Sequence, residues 1–222
     1  TPIKTWQQSN TKSHDVANQL AAVQSQIKTA TDQRPQRYGV EPVTLVAVSK
    51  RQPEVKIDAA LAAGQRVFGE NRIKEASQRW IDRRMAYGDL TLHLIGPLQT
   101  NKVSEAVALF DVIEVVDREK LARALANEMS RQNRYLPCYI QVNTGEEEQK
   151  AGILPKDSDG FIQECRALDL PIKGLMCIPP VDEEPSLHFA LLAKIAERNG
   201  LSGLSMGMSG DLEDAIACGA TM

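Results

Sequence analysis

Thr44-Leu45-Val46-Ala47-Val48-Ser49-Lys50 reads as a short strand that delivers a lysine. Residues 45–48 form an apolar run rich in β-branched side chains with polar neighbours on both sides. That is the pattern of a strand buried on both faces of a parallel sheet. Pro53, after Arg51 and Gln52, cannot continue a ladder. In barrels and open α/β sheets the C-terminal ends of strands are where chemistry collects. A lysine at such an end is expected to be partly desolvated, which favours the neutral amine that attacks carbonyls. A strand that ends in an ordinary solvated lysine is the other reading of these seven residues, and the rest of the chain decides between them.

Working outward, residues 12–30 carry Val16, Leu20, Val23, Ile27 and Ala30 at helical spacing. Residues 31–42 are polar with two prolines and read as a loop. Beyond Lys50 an alternation sets in. Helices are predicted over 54–63, 70–83, 101–110, 117–132, 157–168, 185–199 and 211–218. Gly64, Gly200 and Gly219 serve as C-terminal stops, and Asp117 as an N-cap. Strands are predicted over 66–69, 92–96, 111–116, 138–143, 172–178 and 204–209. Seven strand-then-helix units mean parallel strands with helices outside. Cys218-Gly219-Ala220-Thr221-Met222 reads as the entry to an eighth strand, cut off at the C-terminus. The expected fold is a (β/α)8 barrel preceded by an N-terminal helix, with a doubly wound open sheet as the alternative.

A chain of 222 residues suits one such barrel, and no linker or composition shift divides it, so residues 1–222 read as one domain. The net charge of −3 gives no basic footprint for nucleic acid. No apolar run reaches membrane-spanning length. The opening Thr1-Pro2-Ile3-Lys4-Thr5-Trp6 has no apolar signal core, so the cytoplasm is the expected location. Cys138, Cys165, Cys177 and Cys218 form neither a CxxC pair nor a zinc-spaced cluster. They read as reduced structural thiols, and no metal is expected.

In a barrel, the residues after each strand face one mouth. Here they are Lys50; Glu70 and Asn71; Gly96, Gln99, Asn101 and Lys102; Asn143 and Thr144; Met176 and Pro179; and residues 205–210. The set has one lysine at a strand end and no carboxylate pair, so it is poor in acid–base equipment. His93, inside a strand, reads as structural. Lys102 follows a polar loop and reads as a surface lysine. Met206-Gly207-Met208-Ser209-Gly210-Asp211 opens a helix. Its glycines let backbone amides approach an anion, Ser209 adds a hydroxyl, and barrels often bind phosphate near strands seven and eight. An ordinary N-cap by Ser209 or Asp211 fits the same residues. A lysine facing a phosphate cradle serves two chemistries: pyridoxal 5′-phosphate (PLP) held as a Schiff base, or a sugar-phosphate aldolase. The scarcity of proton-transfer groups argues against the aldolase.

Several stretches resemble one family. They are Ala47-Val48-Ser49-Lys50, Phe68-Gly69-Glu70-Asn71, residues 93–102 (HLIGPLQTNK), Gly174-Leu175-Met176-Cys177-Ile178-Pro179 and Leu204-Ser205-Met206-Gly207-Met208-Ser209. Together they resemble the pyridoxal phosphate homeostasis protein family, also called the proline synthase co-transcribed family. The resemblance runs from about Val43 to the end of the chain. It implies a barrel like the N-terminal domain of alanine racemase, with Lys50 carrying PLP as the Schiff base and Asn71 lining the pocket. Ser205, Met206, Gly207 and Ser209 would lie beside the phosphate or cofactor. It also implies an eighth strand with an arginine at the pyridine nitrogen, then a glycine and a small hydroxyl residue for phosphate. Family members have no established turnover. They are implicated in balancing PLP and its vitamers, with effects on amino-acid and keto-acid pools, and are monomers by habit. An exposed mouth, uncovered by a second domain, would let this chain pass PLP to amines, amino acids or acceptor apoenzymes, its expected partners. An amino-acid racemase is the enzymatic alternative, although racemases add a second domain that these residues do not encode. A pure interaction module is the remaining one.

Overall fold

The computed structural model describes residues 3–222, with side chains from Asp15 onward. Thr1 and Pro2, where the stretch read for a leader begins, lie outside the described residues.

The elements follow in the order α1 (Ile3–Gln33), β1 (Ala47–Val48), α2 (Glu54–Ala62), β2 (Val67–Glu70), α3 (Ile73–Ala86), β3 (Thr91–Leu94), α4 (Val103–Leu109), β4 (Val112–Val116), α5 (Glu119–Gln132), β5 (Cys138–Gln141), α6 (Ser158–Ala167), β6 (Ile172–Met176), α7 (Pro185–Arg198), β7 (Gly203–Ser205) and α8 (Leu212–Ala217). The seven strands form one parallel sheet in sequence order. Each strand is followed by its helix, the arrangement that the alternating pattern demands.

The sheet curls until its two edges face the same short segment. Thr221 donates its N–H to Leu204 O at 2.8 Å, and Met206 donates to Met222 O at 3.1 Å, on the β7 side. On the β1 side Thr44 donates to Thr221 O at 2.9 Å. Helix α1 lies over this seam and packs on both α2 and α8. Arg34, just past α1, ties the seam down: its guanidinium donates to the carbonyls of Gly39, Glu41 and Ala220.

Two layers result from strand alternation. Phe68, Leu92, Leu94, Ile113, Ile140 and Leu175 point outward and are buried beneath the helices with Leu61, Trp80, Leu125 and Phe189. At about 1.5–3 kcal/mol per buried large apolar side chain, this outer layer dominates stability. The other parity faces the barrel interior, which starts with Val46 and Ile95 against Gly69 and continues through His93, Glu114, Tyr139 and Ser205. Gly174 and Gly203 bring β6 and β7 so close that a Cβ on Gly174 would lie 2.0 Å from Gly203 O. The Tyr139 ring fills the space they leave.

Four expectations need correction. Strand β1 is not buried on both faces: it is two residues long, and Val48 is 47% exposed. Its ladder runs along β2, while its inner face opens on the mouth. Lys50 is accordingly exposed rather than desolvated by protein. Glu70 belongs to β2 and not to the following helix, which starts at Ile73. Its side chain turns outward and is fully buried beneath α3, so it is no mouth residue. Asp117 does not cap α5; Arg118 is the N-cap and makes no side-chain cap bond. Asp117 instead accepts from Gly152 N–H and pairs with Arg118. Finally, α1 extends through residues 31–33, where polar composition and the nearby prolines predict a loop. Thr31 Oγ1 donates to Ile27 O at 2.7 Å inside the helix, and the break comes at Pro35.

Candidate functional site

Lys50 sits one residue past the last ladder bond of its strand, in which Ser49 donates to Gly69 O at 3.0 Å. With β1 so short, the strand alone does not fix the lysine. The turn that carries it is held from the side. Arg79, on α3 and 6% exposed, donates to Ser49 O at 2.5 Å and Gln52 O at 2.9 Å. Glu75 accepts the Arg51 N–H at 2.7 Å. Arg51 stands at φ +58°, a left-handed conformation that costs a non-glycine residue about 1–2 kcal/mol. Glu70 Oε1 gathers Ser49 Oγ at 2.6 Å, Arg79 Nη1 at 2.8 Å and Trp80 Nε1 at 3.0 Å.

Asn71 follows β2 and is half-buried. A Cβ on Gly96 would lie 2.4 Å from Asn71 O, so glycine is what allows the end of β3 to lie against the backbone of Asn71.

The β7 end has two characters. Ser205 is half-buried and points inward, where its hydroxyl donates to Glu114 Oε1. Met206 is buried, with its side chain in the apolar core. Gly207 is at φ +99°, and a Cβ there would lie 2.7 Å from that of Ala215. Ser209 and Gly210 are exposed. The Met208 N–H is taken by Asp211 Oδ1 at 2.6 Å. Among the described residues, the N–H groups of Gly207, Ser209 and Gly210 find no partner within the protein. Three free amides and a hydroxyl in a glycine-rich turn suit a phosphate group. A phosphorylated aldehyde therefore matches the donor set: an accessible amine at one strand end, free amides at another.

Beneath the mouth lies a network that sequence reading missed. His93 Nδ1 is 2.7 Å from Glu114 Oε2, and both side chains are buried. Glu114 also takes Ser205, so one carboxylate joins β3, β4 and β7. Burial and the nearby Glu114 push the Tyr139 hydroxyl up to about 12. The available signal was Glu114 itself, a lone charge in the apolar run Val112-Ile113-Glu114-Val115-Val116. Lys102 is exposed and pairs with Glu105 at 3.4 Å, a surface role. All four cysteines are free thiols. Among the described residues no group of three or more His, Cys, Asp or Glu is placed to hold a metal, and no helix is long and apolar enough to cross a membrane.

The family model for the alanine racemase N-terminal domain matches residues 19–218. The pyridoxal phosphate homeostasis protein of Pseudomonas aeruginosa PAO1 is 37% identical, with 93% of this chain and 90% of that protein covered. Its counterpart in Escherichia coli K12 is 34% identical, covering 94% and 93%. PipY of Synechococcus elongatus is 36% identical and covers 93% of this chain and 95% of its own. It superposes with a TM-score of 0.79 without PLP and 0.77 with PLP bound. The resemblance read from the motifs is borne out by these matches.

Proposed function

Because the chain belongs to the pyridoxal phosphate homeostasis protein family, built on the alanine racemase N-terminal domain, we propose that it binds PLP covalently through Lys50 and serves intracellular PLP homeostasis. The observation that carries this reading is the pairing of an exposed Lys50 amine at the end of β1 with the unpartnered amides of Gly207, Ser209 and Gly210 at the end of β7. When bound, PLP supplies an aldehyde that condenses with an amine, with loss of one water. The chain's part is to present Lys50 Nζ, hold the phosphate with residues 207–210, and line the pocket with Asn71 and Ser205. Met206 contributes by packing behind that turn. In this reading the protein is a regulator or carrier without substrate turnover, a cytoplasmic monomer of one domain. The exposed mouth lets amines or acceptor apoenzymes reach the cofactor. In this reading Thr221 and Met222, bonded to Leu204 and Met206 on one side and Thr44 on the other, enter the eighth strand of a (β/α)8 barrel, with α1 as an extra N-terminal helix.

The test is an absorbance spectrum of the protein incubated with PLP, taken before and after borohydride. A yellow band that disappears on reduction, with a pyridoxyl mass on Lys50, is expected, and Lys50→Ala should show neither. A protein that takes up no PLP, or carries the label elsewhere, overturns the reading.

A further inference from the structure

We propose that Arg79 and Glu75 are positioning residues for Lys50: from α3 they hold residues 49–52 in the shape that presents the amine to the mouth. The proposal rests on the reading of Lys50 as the PLP attachment point. The hydrogen bonds fall on backbone groups on both sides of the lysine and leave the lysine itself free. Arg79 Nη1 meets Ser49 O at 2.5 Å and Nη2 meets Gln52 O at 2.9 Å. Glu75 Oε1 holds the Arg51 N–H at 2.7 Å. Gln52 closes the turn with its own N–H on Ser49 O at 3.1 Å. Arg79 is in turn fixed by Glu70 at 2.8 Å and Glu54 at 3.1 Å.

Two features separate positioning from plain stability. Strand β1 has only two residues, so its ladder cannot set the direction of Lys50. Arg51 adopts φ +58° without being glycine, so this turn has a shape that it would not keep unaided. Arg79 serves through its planar fork, which spans two carbonyls at once, and a lysine ammonium cannot reproduce that spacing. Glu75 is 29% exposed in its side chain and lies at the edge of the cluster, so it can be altered without opening the core.

The experiment compares wild type, Glu75→Ala and Arg79→Lys. Three readouts are taken: PLP affinity from the visible absorbance titration, melting temperature without PLP, and amide hydrogen exchange at Arg51 and Gln52 without PLP. Glu75→Ala removes the acceptor of the Arg51 N–H. It is expected to speed exchange at Arg51, leave the melting temperature within about 3 °C of wild type, and weaken PLP binding about tenfold, or 1.4 kcal/mol. Arg79→Lys should weaken binding further. Wild-type exchange in Glu75→Ala overturns the proposal, and so does faster exchange with unchanged PLP affinity. If Arg79→Lys fails to fold, Glu75→Ala still decides. Failure of the wild type to bind PLP refutes the functional reading instead, and the exchange data then report on the turn alone.

Discussion

Glu114 on β4 and Ser205 on β7 are joined across the barrel interior by a hydrogen bond, and the same carboxylate holds His93 at 2.7 Å. An inward-facing carboxylate is costly to bury unless its oxygens are engaged, and here both are. Glu114→Ala should therefore strand two polar groups in the interior and lower unfolding stability by about 3–5 kcal/mol, read as the urea midpoint. Glu114→Gln keeps one acceptor and should cost less. If Glu114→Ala unfolds at the wild-type midpoint, the network contributes nothing to the core.

The close approach of β6 and β7 yields a sharper steric prediction. A methyl on Gly174 meets the backbone of Gly203, with the carbonyl oxygen at 2.0 Å and Cα at 2.6 Å. Neither can move without shifting a strand. Gly174→Ala should lose about 3 kcal/mol or more, at or above the usual range for overpacking. Gly203→Ala meets the Tyr139 ring at 2.7 Å as well as Lys173 O at 2.9 Å. Adding Tyr139→Phe should restore little, because it removes only the hydroxyl and leaves the ring Cε1 and the Lys173 carbonyl in place. Circular dichroism melts of the three variants check both statements.

Sequence reading recovered what periodicity and motifs encode. Strand–helix alternation gave the order of every unit. It failed where tertiary partners decide. Glu70 follows Phe68-Gly69 and looks like an N-terminal helix residue, but Arg79, Ser49 and Trp80 converge on its carboxylate and draw it into the strand. Asp117 has the composition of an N-cap, yet the Gly152 N–H competes for it. The apolar stretch 45–48 looked doubly buried because an apolar face turned toward a barrel mouth has the same composition as one turned toward a core. Arg79 and Glu75 carry no signal in sequence: their role exists only because α3 passes alongside residues 49–52.

Buried thiols predict the alkaline behaviour. Burial pushes Cys138, Cys165 and Cys177 from the ordinary 9.0 up to about 12. The native state then keeps protons that the unfolded chain releases above about pH 9, so it binds more protons through that window, and stability falls as pH rises. The contribution is fully present below the unfolded value and gone above the folded one. Urea midpoints under reducing conditions should decline from pH 9 towards 12, and Cys138→Ala should flatten the decline if it folds. A thiol reagent at pH 8 should leave these three cysteines unmodified until the protein unfolds. Rapid labelling of Cys138 in the native protein would contradict its burial.

The turn at residues 207–210 can be tested by separating the phosphate from the aldehyde. If its free amides and the Ser209 hydroxyl hold phosphate, PLP should bind more tightly than pyridoxal, and inorganic phosphate should compete with PLP alone. Ser209→Ala removes one hydrogen bond to a charged group, a loss of about 1.5–3 kcal/mol, and so should weaken PLP at least tenfold. Pyridoxal should be unaffected, because Lys50 is untouched. Gly207→Ala acts on the same contact differently: at φ +99°, with Ala215 Cβ 2.7 Å away, the new methyl must displace the turn and its amides. It should weaken PLP binding more than Ser209→Ala does. Competition titrations with the two aldehydes measure the difference directly, and equal losses for PLP and pyridoxal would place the phosphate elsewhere.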